Sequence, residues 1–311
     1  MPNLPPFFKG FTIIHLSDLH YGFLVPKLVI EAVAEKCQRP AKKYHCVRDY
    51  VHEDNNFSQI DKVWPILSQL SAPQGVYSVL GNHDHWADTE RSLYWLCRSG
   101  QDLRHKTVSI GRDGQRIWRG GTGDLWEDDV RVDRTFEGVP EQECKILLAH
   151  NPDTADTGFT TRIDLMLSGH THGGPVRIPF IGAPVLSVNN KRYTSGYIRT
   201  DRTALFISRG IGGLICQFGS TVPQKSPFCS LLENHNSPFE DSFRDCYFKK
   251  FHATRPAISR WKASQRSPTR QSCPARRVPF QPSNYTTECA RQPPEPARRI
   301  HGQFPPQYSN L

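Results

Sequence analysis

Along residues 11 to about 234, short apolar runs alternate with longer amphipathic stretches, the pattern of an α/β layered domain rather than a helical bundle or a sandwich of hairpins. Buried strands are expected at Phe11–Leu16, Val76–Leu80, Ile146–Ala149, Leu165–Leu167 and Ala204–Ile207, with a closing strand at Phe228–Leu232. A helix is expected over Val25–Cys37, with Leu28, Val29, Ala32 and Val33 on one face. A second is expected over Asp61–Leu70, with Pro65 in or near its first turn, where a missing N–H costs least. Thr107–Trp118, interrupted by Gly111-Arg112-Asp113-Gly114, reads as a β-hairpin. No internal repeat is visible.

Composition sharpens this picture. A chain of 311 residues with 37% hydrophobic content can bury a full core, which excludes peptide-sized, fibrous and wholly disordered classes. No run approaches the roughly 18 to 20 apolar residues of a membrane span, and Met1–Gly10 lacks the layout of a signal peptide. The chain as written is therefore expected in the cytoplasm, with membrane association if a segment precedes it. The net charge of +9 is confined to one end. Residues 1–240 hold 26 Lys and Arg against 26 Asp and Glu, whereas residues 241–311 hold 13 against 4. That end carries 10 of the 25 prolines and few aliphatic groups, Ile258, Val278, Ile300 and Leu311, too few to offset the entropy of ordering it. The expected organisation is an N-terminal extension (1–10), a folded domain (11–234) and a basic, Pro-rich, disordered tail (235–311). Arg276-Arg277 and Arg298-Arg299 keep an anion-binding role for the tail in view. Nine cysteines without a C-x-x-C pair fit neither a zinc ribbon nor a disulfide framework, so free thiols in a reducing compartment are expected.

Chemistry collects where the strands end. Ser17-Asp18-Leu19-His20 follows the first, Gly81-Asn82-His83-Asp84 the second, His150-Asn151 the third and Gly169-His170-Thr171-His172 the fourth. Carboxyl ends of parallel strands share one sheet edge, so these groups should converge. Carboxylate, imidazole and amide oxygen together suit Zn²⁺, Mn²⁺ or Fe rather than the all-oxygen shell of Ca²⁺.

In that order, the series resembles the calcineurin-like metallophosphoesterases. Ser71–Asp84, Leu147–Asp153 and Asp164–Gly174 are similar to a bacterial phosphodiesterase branch, related to membrane-associated and exported metallophosphoesterases and to UDP-2,3-diacylglucosamine diphosphatases. The resemblance implies a four-layer αββα sandwich and two divalent metal ions, Mn, Zn or Fe. It places Asp18, His20 and His172 on the first ion, Asn82, His150 and His170 on the second, and Asp49 between them. It makes His83 the catalytic, non-ligand imidazole, with Asp84 orienting and charging its ring. His15 and His85 are expected to be packed or solvated rather than ligating. The implied reaction is hydrolysis of a phosphodiester or nucleotide-linked diphosphate by a metal-bridging hydroxide. The implied partner is a phosphate-ester substrate, a nucleotide-linked lipid among the candidates; no firm nucleic-acid partner is indicated, peripheral membrane contact stays open, and no oligomeric state is set.

One segment departs from this resemblance. The second motif, an apolar strand ending in Gly-Asp, is replaced by Gln38–Arg48 before Asp49-Tyr50-Val51-His52, with Lys42, Lys43 and His45 where a central parallel strand should be apolar. Burying one unpaired ammonium costs several kcal/mol, so either this strand is displaced or the domain is compromised. Arg48 stands in place of the Gly and brings a fixed positive charge near the ions, or a phosphate-gripping group. Pro175 follows the last ligands where relatives commonly show Gln. The alternatives to an active phosphodiesterase are thus an impaired relative, because residues 38–49 are degraded, and a lipid A diphosphatase.

Overall fold

The computed structural model describes residues 3–8, 11–22, 25–37, 43–47, 49–52, 54–112, 114–174, 176–178, 182–185, 187–212 and 228–230. Arg48, Pro175, residues 38–42 and the tail at 235–311 lie outside them.

Two sheets carry the architecture. The first has the order β12-β1-β2-β3, from Phe228–Ser230 (β12), Thr12–His15 (β1), Lys43–Val47 (β2) and Val76–Ser78 (β3). The second has the order β10-β11-β7-β6-β5-β4, from Gly196–Arg199 (β10), Ala204–Ile207 (β11), Leu165–Ser168 (β7), Cys144–Leu148 (β6), Gln115–Gly121 (β5) and Thr107–Arg112 (β4). Val176–Ile178 (β8) and Gly182–Val185 (β9) form a separate hairpin. β1, β2 and β3 run parallel, as do β5, β6, β7 and β11, while β12, β4 and β10 pair antiparallel at the margins.

The alternation of side chains sorts the strands into layers. Ile13 joins the core between the sheets while Ile14 joins the core under the helices. In the second sheet Ile146, Leu148, Leu165 and Leu167 face the first sheet, and Leu147, Ala149, Met166, Leu205 and Ile207 face outward. Three apolar cores therefore separate four layers, each fully buried aliphatic side chain contributing about 1.5–3 kcal/mol. The helical layer on the first sheet is Lys27–Cys37 (α1), Phe57–Leu67 (α2) and Asn82–Arg98 (α3); the one on the second sheet is thin, with Val132–Thr135 (α4) and the 3-10 turn Pro152–Asp156.

Several expectations are corrected. α1 buries Ile30, Val33 and Cys37, and Leu28 stands 58% exposed, because the i, i+3, i+7 row meeting the sheet lies off the one through Leu28 and Ala32. α2 begins at Phe57 and its row Ile60, Val63, Trp64 and Leu67 is buried, which leaves Pro65 deep inside the helix rather than in its first turn. β2 is not displaced: it pairs with β1 through Ile14↔His45 and with β3 through His45↔Val76. Cys97, at the end of α3, is disulfide-bonded, against the expectation of free thiols; spacing rules do not see pairs distant in sequence. Cys37 and Cys144 are buried thiols. Among the described residues, no helix is long and apolar enough to cross a membrane.

Candidate metal centre

Every parallel strand just named ends at one edge. Asp18 and His20 follow β1, Asp49 follows β2, Asn82 opens α3 after β3, His150 follows β6, and His170 and His172 follow β7. Five of these seven residues have positive φ: Asp18 (50°), His20 (47°), Asp49 (55°), His170 (70°) and His172 (51°). Asp and His tolerate that region better than branched side chains do, and the tight turn it makes folds each side chain back over the strand end. Two glycines leave the room these side chains need. A Cβ at Gly81 would meet Asp49 Oδ1 at 2.6 Å, and one at Gly169 would collide with Asp18 Oδ2.

The side chains meet in two groups. In one, His20 Nε2 lies 3.0 Å from His172 Nε2, and His172 Nε2 lies 3.7 Å from Asp18 Oδ1. In the other, Asn82 Oδ1 lies 3.1 Å from both His150 Nε2 and His170 Nδ1, which are themselves 3.3 Å apart. Asp49 joins them, its Oδ2 3.1 Å from His20 Nε2 and 3.8 Å from His150 Nε2. All seven side chains expected to be ligands are thus brought together.

The donor chemistry fits cations. His170 Nε2 faces the Ser187 carbonyl at 3.0 Å and must carry the proton, so its Nδ1 is a bare lone pair aimed at the Asn82 oxygen. Two acceptors at that distance repel unless a positive charge lies between them. Donors about 2.1 Å from a common ion are roughly 3.0 to 3.4 Å apart, the spacing seen among Asn82, His150 and His170. Asp49 Oδ1, which lies against Gly81, is buried without a hydrogen-bond partner, another acceptor left uncompensated beside the centre.

Electrostatics agree. Burial alone would raise the carboxyl pKa values of Asp18 and Asp49, but the surrounding imidazoles, His172 foremost for Asp18 and His20 for Asp49, hold both down, Asp49 well below the usual range. Burial is the leading cause that lowers His150, His170 and His172, the last two to about 4, which keeps these rings neutral and their lone pairs available. For His20 burial also pulls downward, but the adjacent Asp49 carboxylate outweighs it and the pKa rises.

His83 stands beside this centre, its ring 4.6 Å from that of His20 and its Nδ1 3.0 Å from the His52 carbonyl. The expected role of Asp84 is corrected here. Its two carboxylate oxygens accept from the backbone N–H groups of Tyr50 (2.8 Å) and Gly81 (2.9 Å), so it clasps the start of α3 to the end of β2. The His52 carbonyl, not Asp84, orients the His83 ring. His85 Nδ1 faces Thr89 Oγ1 at 3.3 Å, and His15 packs edge-on against Phe206, so neither joins the donor groups. Sequence reasoning missed His52, whose Nδ1 is 3.4 Å from His20 Nδ1, and Asp124, a buried carboxylate at the end of β5. The polar Thr122-Gly123-Asp124 after a strand was the signal for Asp124.

Residues 11–174 match the Calcineurin-like phosphoesterase family. The chain belongs to that family. Phosphodiesterase YaeI of Escherichia coli is 32% identical over 224 residues, covering 67% of this chain and 79% of that one. An uncharacterized metallophosphoesterase of Bacillus subtilis, YkuE, is 29% identical over 219 residues, covering 67% and 74%. A solved structure, a putative 5'-nucleotidase from Staphylococcus aureus, aligns with a TM-score of 0.42 and 12% identity over 65% of this chain and 49% of that one. The chain is accordingly a hydrolase of phosphoric esters, built for metal-dependent chemistry by the groups described above.

Proposed function

We propose that residues 11–234 form a phosphodiesterase that works with two divalent cations, one held by Asp18, His20 and His172, the other by Asn82, His150 and His170, with Asp49 serving both. The position of Asp49 Oδ2 between His20 and His150 carries this reading. The similarity to a protein named a phosphodiesterase supports the substrate class. Bound ions would supply Lewis-acid stabilisation of phosphoryl oxygens and lower the pKa of an attacking water.

The chain's own residues do the rest. The neutral imidazoles of His150, His170 and His172 would hold the ions without cancelling their charge, and the ionised carboxylates of Asp18 and Asp49 would add the negative charge that keeps two cations together. The His52 carbonyl accepts from His83 Nδ1–H, so a doubly protonated His83 ring would give its Nε2 proton to the departing oxygen and be left as the neutral Nδ1–H tautomer. β2 reaches its place between β1 and β3 and delivers Asp49, which favours an active enzyme over an impaired one.

Purified protein loaded with Mn²⁺ is expected to hydrolyse bis-p-nitrophenyl phosphate and to bind two equivalents of metal. Asp18→Ala should abolish turnover, and His83→Ala should lower it by about 10²–10⁴-fold with metal content retained. Equal turnover by the wild type and both variants refutes the proposal.

A further inference from the structure

Two indoles stand at the mouth of the centre. Trp86 is 36% exposed and Trp126 47% exposed, and their rings lie 6.3 Å apart at an interplanar angle of only 25°. Each sits on a residue of the site. Trp86 packs against His83 at 4.8 Å, and Trp126 sets its edge on His170 at 4.4 Å. An indole left this exposed on a monomer surface forgoes much of the free energy its burial would give, and here two do so side by side.

The pair is also held in place. Asp124 Oδ1, at the end of β5, accepts from the N–H groups of Trp126 (2.9 Å) and Glu127 (3.2 Å), fixing the turn that presents Trp126. Glu127 in turn accepts from Trp86 Nε1 at 2.7 Å, which ties the loop after β5 to α3. Arg104 grips Asp128 one residue further on, with Nη2 2.7 Å from Oδ1. The pair of near-parallel indoles is therefore ready-made rather than assembled by the ligand, the condition under which stacking gains most.

We infer that Trp86 and Trp126 form a stacking platform for the leaving group, and that the substrate is a phosphodiester whose departing alcohol carries a planar, uncharged ring, as a nucleoside does. This rests on the phosphodiesterase reading and names its substrate class. Trp86 adjoins His83, the group placed to protonate the departing oxygen, which puts the platform on the leaving side. Glu127, bonded to the Trp86 indole, puts a carboxylate at the platform, so an additional phosphate there would meet like charge, and a neutral ring would not. A saturated acyl chain would match a groove of aliphatic side chains better than two near-parallel aromatic faces.

The test compares binding of adenosine 5'-monophosphate, ribose 5-phosphate and octyl phosphate to the Mn²⁺-loaded chain by calorimetry. The first two share phosphate and sugar and differ in the planar base. The nucleotide is expected to bind about tenfold more tightly than ribose 5-phosphate, within the range of base stacking on one aromatic side chain. Trp126→Leu and Trp86→Leu should bring that ratio below about twofold, and Trp126→Phe should preserve most of it. Equal binding of nucleotide and sugar phosphate by the wild type, or a ratio unmoved in both leucine variants, overturns the platform alone. Tightest binding of octyl phosphate overturns it in favour of a lipid. Failure of all three to bind overturns the two-cation phosphodiesterase proposal and the platform with it.

Discussion

Gly81→Ala perturbs the Asp49 carboxylate directly. Gly81 has φ −108° and ψ 175°, extended backbone open to any residue, so alanine meets no conformational penalty there. The obstacle is steric. The new Cβ would lie 2.6 Å from Asp49 Oδ1, 2.9 Å from its Cβ and 3.0 Å from its Cγ, whereas relaxed heavy-atom contacts lie at about 3.5 Å, so the carboxylate must retreat by roughly 0.5–0.9 Å. It has little freedom to do so. Asp49 is 1% exposed, its φ is 55°, and the next residue is anchored by the Tyr50 N–H on Asp84 and by the Tyr50 ring against Trp64 at 4.4 Å. Overpacking of this kind costs about 1–3 kcal/mol. A shifted carboxylate should weaken metal binding by about 10–100-fold, the range for disturbed support of a metal site. Competition against a chromophoric chelator reads the affinity directly, and thermal unfolding confirms that the variant is folded. Gly100→Ala is the control. There φ is +71° with open space around the Cβ, so backbone strain of about 1 kcal/mol should appear with metal affinity untouched. A folded Gly81→Ala variant that binds both equivalents within twofold of the wild type would refute the reasoning.

Two further outcomes are expected. Removing metal with a chelator should lower the melting temperature by roughly 10–20 °C, since each of the two proposed ions at a hundredfold excess over its dissociation constant adds about 2.7 kcal/mol to a domain of this size; calorimetric scans with and without chelator that coincide would contradict it. Burial alone would raise the pKa of Asp128, but the His105 ring 3.8 Å away and the hydrogen-bonded Arg104 guanidinium depress it, so its stabilising effect is full above the unfolded pKa of about 3.9 and is lost gradually as pH falls from there through the much lower folded pKa. Asp128→Asn should therefore cost about 1.5–3 kcal/mol in urea unfolding at pH 7, with the gap smaller by about 1 kcal/mol at pH 3, whereas a pH-independent gap would exclude this account.

The strand ends were legible because a buried parallel strand must be apolar and its functional edge must not be, and that switch is written plainly at Leu16-Ser17-Asp18 and Leu167-Ser168-Gly169-His170. β2 was not legible, because Lys43 and His45 disguise a strand whose place is fixed by backbone ladders to β1 and β3 rather than by side-chain hydrophobicity. α3 hides for a related reason. Its first turn is spent on Asn82, His83 and Asp84, and Asp88 breaks it with φ −177° and ψ 105° before capping the next turn through the Arg91 N–H at 3.0 Å, so no continuous apolar row marks it. Asp84 misled through adjacency. Successive residues on a helix point about 100° apart and do not face one another, so a carboxylate next to His83 in sequence turns instead to the backbone at Gly81 and Tyr50. The Trp86 and Trp126 pair, 40 residues apart, has no sequence signature at all, since neither indole breaks the pattern of its own segment.

The positive-φ residues show how such a centre is held open. Five left-handed donors, at about 1–2 kcal/mol each, strain the fold by an amount comparable to the whole net stability of a domain, so they must be over-determined by their surroundings. The backbone supplies that determination from loop to loop. The Asp49 carbonyl accepts from Leu19 N at 2.8 Å and His20 N at 3.4 Å, which locks the β2 end onto the β1 end. The Asp18 carbonyl accepts from Gly212 N at 2.7 Å, and Asp18 Oδ1 from His170 N at 2.8 Å, which locks β1 onto the ends of β11 and β7. Gly169 N donates to His150 O at 3.0 Å and closes the circuit onto β6. His20, Asp49, His150 and His170 are therefore tied in by backbone groups that are not their own ligating atoms. Cations entering such a frame find their ligands already converged, and the loss of one loop is transmitted to the rest through these bonds. This is why a single methyl group at Gly81, touching one carboxylate, is expected to weaken both halves of the centre together.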